Sequence, residues 1–349
     1  MSGTNSIKSG HWERLNPIPP EHILFGHSSA MAEIRTNANK IRQTSIPVLL
    51  CGEGGTGKEA LARWIHANSS CSSGEFVKVN CAAIPGALLE SELFGYEKGA
   101  FTGANSTKLG RVEVAHQGTL FLDEIGDLDL NLQSKLLHFL QDGTFSRLGD
   151  NQERRVNVRL LCATNKDLDK ETQAGRFRQD LFYRIHVFRL KLPPLRERRE
   201  DIPVLAEFFR LHFEKQFGMQ SDAFPPEMLE YLQNLNWPGN IRELSNGVAR
   251  HVLLGPDATM QAEGFPRRHK TSFFTEDGAP VTLKQLAKGA IKEMERNVIL
   301  EALRANQWNR RKTAQALKIS YRALIYKIQE AGLVSRRAAL NAMHEGQEG

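Results

Sequence analysis

From residue 23 to about 190, short apolar runs alternate with amphipathic stretches. Residues 48–51, 76–79, 120–122, 158–163 and 187–190 are short and apolar and read as strands, while 58–67 and 132–140 carry apolar positions at helical spacing. Such alternation predicts an α/β domain, a parallel sheet flanked by helices. Pro193-Pro194 closes it, because proline gives a ladder no amide and restricts the residue before it. A mixed charge run, Arg196 to Asp201, then opens a helix-rich stretch ending near 265, and the run reads as a solvated helix face. Residues 266–282 are polar and form a linker. Beyond it Leu283, Leu286, Ala290, Met294, Val298 and Ala302 recur at helical spacing. Residues 1–22 show no periodicity and read as a tail, which divides the chain into 1–22, 23–193, 194–265, 266–282 and 283–349.

Composition narrows this little. Hydrophobic residues make 40% and charged residues 25% of the chain, ordinary for a soluble protein, and no apolar run is long enough to cross a bilayer. No signal-peptide segment opens the chain, and Cys51, Cys71, Cys81 and Cys162 are scattered with no CxxC pair. Reduced thiols in a cytoplasmic protein are the expectation, with no membrane partner. The net charge of +6 permits an anionic partner, and its placement matters more than its size.

Two motifs point to nucleotide chemistry. The predicted strand ending at Cys51 runs into Gly52-Glu53-Gly54-Gly55-Thr56-Gly57-Lys58-Glu59 and then a helix-forming run, the setting of a P-loop. Glycines let backbone amides turn in around phosphates, the helix N-terminus adds positive dipole, and Lys58 reaches the β- and γ-phosphates of ATP. Glu59 stands where the general pattern has a Ser or Thr on magnesium. About sixty residues on, the apolar strand of Gly118-Thr119-Leu120-Phe121-Leu122-Asp123-Glu124 ends in two acids. Asp123 is expected to hold Mg2+ and Glu124 to orient and deprotonate the attacking water.

With these motifs stands Gly99-Ala100-Phe101-Thr102-Gly103-Ala104, which matches in full the GAFTGA signature of the NtrC-like activators of sigma-54 RNA polymerase. The chain resembles that family from about Phe25 to Leu333. The resemblance implies an AAA+ ATPase with a helical lid and a loop tip, residues 99–104, that contacts sigma-54. The two glycines permit tight turns, and Phe101 and Thr102 make a small knob.

By the same resemblance, Asn80 holds the catalytic glutamate until nucleotide and loop are coupled. Thr164-Asn165 is the sensor near the γ-phosphate. Arg178 and Arg184 are arginine fingers reaching a neighbouring subunit's nucleotide, so the active unit is a ring, a hexamer in the family. Arg242 is the second sensor, placed in a first helical turn because Asn240 and Glu243 resemble a capping box. Gly54 replaces the family's usual serine, whereas Glu59 is its usual residue. No receiver or ligand-sensing domain precedes Ile23, so regulation is expected from a protein acting in trans, from expression level, or from a segment outside the chain.

At the other end, Asn309 is placed to cap a helix through Arg310, Arg311, Thr313, Ala314 and Leu317. Lys318-Ile319-Ser320 makes a turn and Tyr321 to Gln329 a second helix, locked by Ala314, Leu317, Leu324, Ile325 and Ile328. Arg310, Arg311, Lys312, Lys318, Arg322 and Lys327 give the unit a basic footprint for double-stranded DNA. It resembles the Fis-type helix-turn-helix of the same family, with Arg310, Arg311, Ser320, Tyr321, Arg322, Tyr326 and Lys327 as candidate DNA contacts. The apolar stripe of residues 283–303 is expected to pair subunits. Two other readings keep the scaffold: a DNA-binding repressor with a vestigial ATPase, and an AAA+ remodeller of another client.

Overall fold

The computed structural model describes residues 18–259, 299, 302–303, 306, 309–317 and 319–330. The chain divides into two units, Met1–Arg267 and Arg268–Gly349. The first is built on β1 (Val48–Cys51), β2 (Phe76–Asn80), β3 (Thr119–Asp123), β4 (Arg159–Thr164) and β5 (Phe188–Lys191), all parallel in the order β2-β3-β4-β1-β5. Position in the sheet accounts for the composition of the strands. Central β1 and β4 are buried at every residue and β3 at all but its last, whereas the edge strand β2 alternates buried with half-buried positions and β5 buries only Leu190. A strand covered on both faces has no solvent side on which to place polar residues.

Each face has its own core. Leu50, Phe121 and Ala163 pack beneath the helices Ser29–Ile41 and Lys58–Ala67, through Ile34, Ala38, Leu61 and Ile65. Leu49, Leu122 and Cys162 pack on the other face with Leu93, Leu136 and Leu181 from the helices Gly86–Phe94, Leu130–Asp142 and Gln179–Ile185. Burying each of the leucine, isoleucine and phenylalanine side chains among them contributes about 1.5–3 kcal/mol before chain entropy is counted. All but β1 end one residue later than their apolar runs. Asn80 pairs in register with Asp123, and Cys51 with Thr164, so the polar residues that close β2, β3 and β4 belong to the ladder.

A third core holds the lid, where Leu205, Leu232, Trp237, Leu244 and Val248 join the helices Ile202–Phe217, Pro226–Asn234 and Asn240–Thr259. The last helix kinks at Gly255, φ 75°. Helix Glu21–Phe25 starts inside the stretch expected as tail, with Ile23 packed in the lid core and Phe25 edge-on to Trp64 at 5.0 Å. Among the described residues no helix is long and apolar enough to cross a membrane.

The charge run 196–201 is not a solvated face. Arg198 and Asp201 are 2% and 1% exposed. Asp201 accepts hydrogen bonds from His27 N, Ser28 N and Ser28 Oγ, while Arg198 Nη2 donates to Thr56 O at 2.6 Å. Charge patterning reports local sequence, and these partners lie more than 140 residues away.

In the second unit, Asn309 caps helix Arg310–Ala316 through Lys312 N, and Ser320 Oγ accepts from Ala323 N at the start of helix Tyr321–Glu330. Leu303, Ala314, Leu324 and Ile328 form its core with Ile299, Leu317 and Ile319, whereas Ile325 is half-buried outside it. The expected linker 266–282, the apolar stripe from 283 to 298 and Lys318 lie outside the described residues.

Candidate nucleotide site

Four strand ends meet at the carboxyl edge of the sheet, where open parallel sheets bind ligands. From β1, Gly52 N donates to Thr164 O and the chain turns through Gly55 (φ 76°) and Gly57 (φ 103°) into helix Lys58–Ala67. Thr56 Oγ1 donates to Glu53 O and braces the turn. Lys58, 6% exposed, donates to Gly52 O at 2.8 Å and Glu53 O at 3.2 Å, and its ammonium lies 3.5 Å from Glu124 Oε1. Among the described residues no protein group accepts from the amides of Gly55, Thr56 and Gly57. A ring of unpaired donors over a lysine fits a polyphosphate.

The acids stand opposite. Glu124 adopts a left-handed conformation (φ 53°, ψ 51°), unusual for a non-glycine residue and often retained at functional sites. Its Oε2 accepts from Asn165 N at 2.8 Å. Asp123 Oδ2 lies 3.4 Å from Lys78 Nζ, which also donates to Glu59 at 2.6 Å. Glu59 accepts two further bonds from Arg63. Burial pushes the Glu59 carboxyl up, and Lys78 and Arg63 outweigh it, so its pKa falls below the ordinary value. Lys78 thus supplies positive charge between two acids; among the described residues no three His, Cys, Asp or Glu side chains gather as a metal set, so a divalent cation here would need phosphate and water oxygens besides Asp123. The expected bond from Asn80 to Glu124 is absent among the described residues. Asn80 Oδ1 instead accepts from Ala82 N, a local turn bond available without any distant partner, and Glu124 is held by Asn165.

The lid closes the outer side. Arg242 lies over the loop, with Nη1 3.9 Å from where a Gly54 Cβ would stand, so serine would also fit there. The expected capping box takes another form. Glu243 Oε2 accepts from Gly239 N, while the buried Asn240 side chain accepts from Leu195 N and donates to Glu53 Oε2 and Gly54 O. Arg196 grips Glu53 through two bonds of 2.6 and 2.9 Å; these bonds and Asn240 lower the Glu53 carboxyl to about 2. Beside the loop is an apolar cavity of about 260 Å³ lined by Ile18, Leu24, Leu192, Phe208, Phe209 and His212 among others, suited to a flat heterocycle.

Other expected residues stand apart from this cluster. Gly99 (φ 88°) and Gly103 (φ 105°) have open space around them, so the loop needs glycine for its backbone and not for room. Gly99 N donates to Ala104 O and closes the loop. Ala104 is buried, Ala100 half-buried and Thr102 exposed, while Phe101 is 44% exposed and leans edge-on against Tyr96 at 5.0 Å. The stem is held by Glu97, which accepts from Thr107, Arg147 and Arg154. Arg178 pairs with its neighbour Asp180, and Arg184 donates to Leu140 O. In the second unit Arg310, Arg311, Ser320, Tyr321, Arg322 and Tyr326 are exposed and Lys327 half-buried. Lys78, Arg196, Arg198 and Asp201 are not among the site residues expected from the sequence. Lys78 alone carries a signal, as the one charge in the alternating FVKVN strand.

Comparison with known proteins agrees with this geometry. Residues 24–191 match the Sigma-54 interaction domain, 196–279 the AAA+ ATPase lid domain and 290–330 the Bacterial regulatory protein, Fis family. The chain is 46% identical over 315 residues to Regulatory protein AtoC of Escherichia coli, covering 89% of this chain and 68% of that protein. It is 40% identical over 315 residues to Response regulator protein PilR of Pseudomonas aeruginosa, covering 90% and 71%. Among solved structures it resembles NtrX from Brucella abortus in complex with ADP, at 31% identity and TM-score 0.64, covering 92% of this chain and 70% of that one. The ATP complex of NtrX matches at 33% identity and the same TM-score, covering 92% and 72%. With its Sigma-54 interaction domain, AAA+ lid and Fis-type helix-turn-helix, the chain belongs to the NtrC-like family of sigma-54-dependent transcription activators.

Proposed function

We propose that this activator hydrolyses ATP in an oligomeric ring and uses the resulting movement of residues 99–104 to convert the sigma-54 polymerase closed complex to the open complex. The observation that carries the reading is the carboxyl edge of the sheet: P-loop amides with no protein acceptor among the described residues, Lys58 beside Glu124, and Asp123 next to Glu124 at the end of β3. The ATP-bound NtrX relative supports the choice of nucleotide.

Gly52 to Gly57 cradle the phosphates, Lys58 neutralises them, and the apolar cavity takes the base. Asp123 would hold Mg2+, with Glu59 and Lys78 beside it; bound there, the ion supplies charge neutralisation to the phosphates. Glu124, the carboxylate nearest Lys58, orients and deprotonates water, and Asn165 N holds it in place. Asn80, Arg242 and the fingers Arg178 and Arg184 complete the nucleotide set, the fingers from a neighbouring copy. Enhancer-like DNA is bound by the exposed basic side chains of the second unit.

The decisive experiment pairs an ATPase assay with open-complex formation on a sigma-54 promoter. Thr102→Ala should keep ATP turnover near that of the parent yet lose sigma-54 binding in the presence of a transition-state analogue, and lose open complexes. Full activation by this variant would make the loop dispensable, and a loss of activation accounted for by lost hydrolysis would make it structural only.

A further inference from the structure

The outer edge of the P-loop is held by the lid through three consecutive peptide carbonyls. Asn240 Nδ2 donates to Gly54 O at 3.1 Å, Ile241 N to Gly55 O at 3.0 Å and Arg198 Nη2 to Thr56 O at 2.6 Å. A trans peptide is planar, so each carbonyl points opposite to the amide of the next residue. Pulling the carbonyls of 54, 55 and 56 toward the lid therefore turns the amides of Gly55, Thr56 and Gly57 the other way. Those are the amides with no protein acceptor among the described residues.

We infer that Asn240 and Arg198 are positioning residues for ATP binding: the lid forms the outer jaw of the P-loop and sets its amides toward the phosphates. This rests on the ATPase reading above. The approach is too close for substitution at the loop, since a Cβ on Gly55 would stand 2.5 Å from Gly239 O. Asn240 is itself fully buried at φ 53°, a conformation asparagine tolerates better than most residues. Every polar atom of its side chain is used: Oδ1 takes Leu195 N, and Nδ2 serves both Glu53 and Gly54. The jaw makes P-loop geometry depend on lid position, so a lid that swings away relaxes the amides that hold the phosphates.

The test compares ligands with and without phosphate on the full chain. Asn240→Asp keeps the shape and the acceptor for Leu195 N but deletes both donations, and placing it on a Glu53→Gln background removes the added carboxylate repulsion. ATP and ADP should each bind about tenfold more weakly, the scale of one lost buried hydrogen bond, while adenosine binding, followed by ligand-observed NMR, stays unchanged. Arg198→Lys, which keeps a cationic donor, should retain more ATP affinity than Arg198→Met, and this pair carries the test if the Asn240 variant does not fold. Unchanged ATP affinity, or adenosine weakened as much as ATP, would overturn the jaw. A parent protein that binds no ATP would instead sink the ATPase reading, leaving the two failures distinct.

Discussion

Lys58 and Glu124 stand 3.5 Å apart, each anchored by backbone: Lys58 on two P-loop carbonyls, Glu124 on the Asn165 amide. The roles proposed for them differ, so their variants should separate. Lys58→Ala removes the charge that meets the phosphates and should weaken ATP binding. Glu124→Gln keeps shape and polarity but loses the base, so it should bind ATP and hydrolyse it about 100-fold or more slowly, as expected of a lost general base. Undiminished turnover would reject the assignment. The cysteines give a second residue-scale check. Burial pushes the Cys81 thiol up to about 12, and burial also raises Cys51 and Cys162, whereas Cys71 is half-buried. Because thiolate is the reactive form, an aromatic disulfide reagent at pH 8 should modify Cys71 first and the other three only on unfolding. Rapid modification of Cys81 or Cys162 in the folded protein would contradict the packing.

At the scale of elements, the segment 195–201 is the fastening between subdomains: Arg196 on Glu53, Arg198 on Thr56 O, Asp201 on the amides of His27 and Ser28. Gly26 (φ 56°) allows that last contact, since a Cβ there would fall 2.3 Å from the Asp201 carboxylate. Asp201→Ala leaves two amides and a hydroxyl without their acceptor and should cost about 3 kcal/mol, read from the urea midpoint. A loss below about 1 kcal/mol would mean water replaces the carboxylate. The sequence was legible where local pattern decides. The strands were plain because buried central strands are continuously apolar, and the P-loop because its backbone needs glycine at fixed spacing. The fastening was not, because Asp201 meets Ser28 across 173 residues and Asn240 meets Glu53 across 187. Both side chains look like ordinary surface and capping residues until the lid is folded onto the loop.

For the whole molecule, the ring proposal turns on two arginines. Arg178 and Arg184 engage Asp180 and Leu140 O and not the P-loop, and Tyr183 between them is 65% exposed. An exposed aromatic beside two arginines suits a surface that meets another copy. If the arginines act across a head-to-tail contact, a Lys58→Ala chain lacks its own pocket but can lend fingers, and an Arg178→Ala chain has the reverse defect. Neither alone should hydrolyse ATP well. Mixed in equal amounts, random assembly of a ring gives about a quarter of its sites a sound pocket facing a sound finger, so hydrolysis should recover to a measurable fraction of the parent rate. The recovery should vanish on dilution below the assembly concentration, because it belongs to the contact and not to either chain. Mixed rings that form, as shown by co-purification of differently tagged chains, yet stay inactive would mean that Arg178 serves the pocket of its own chain.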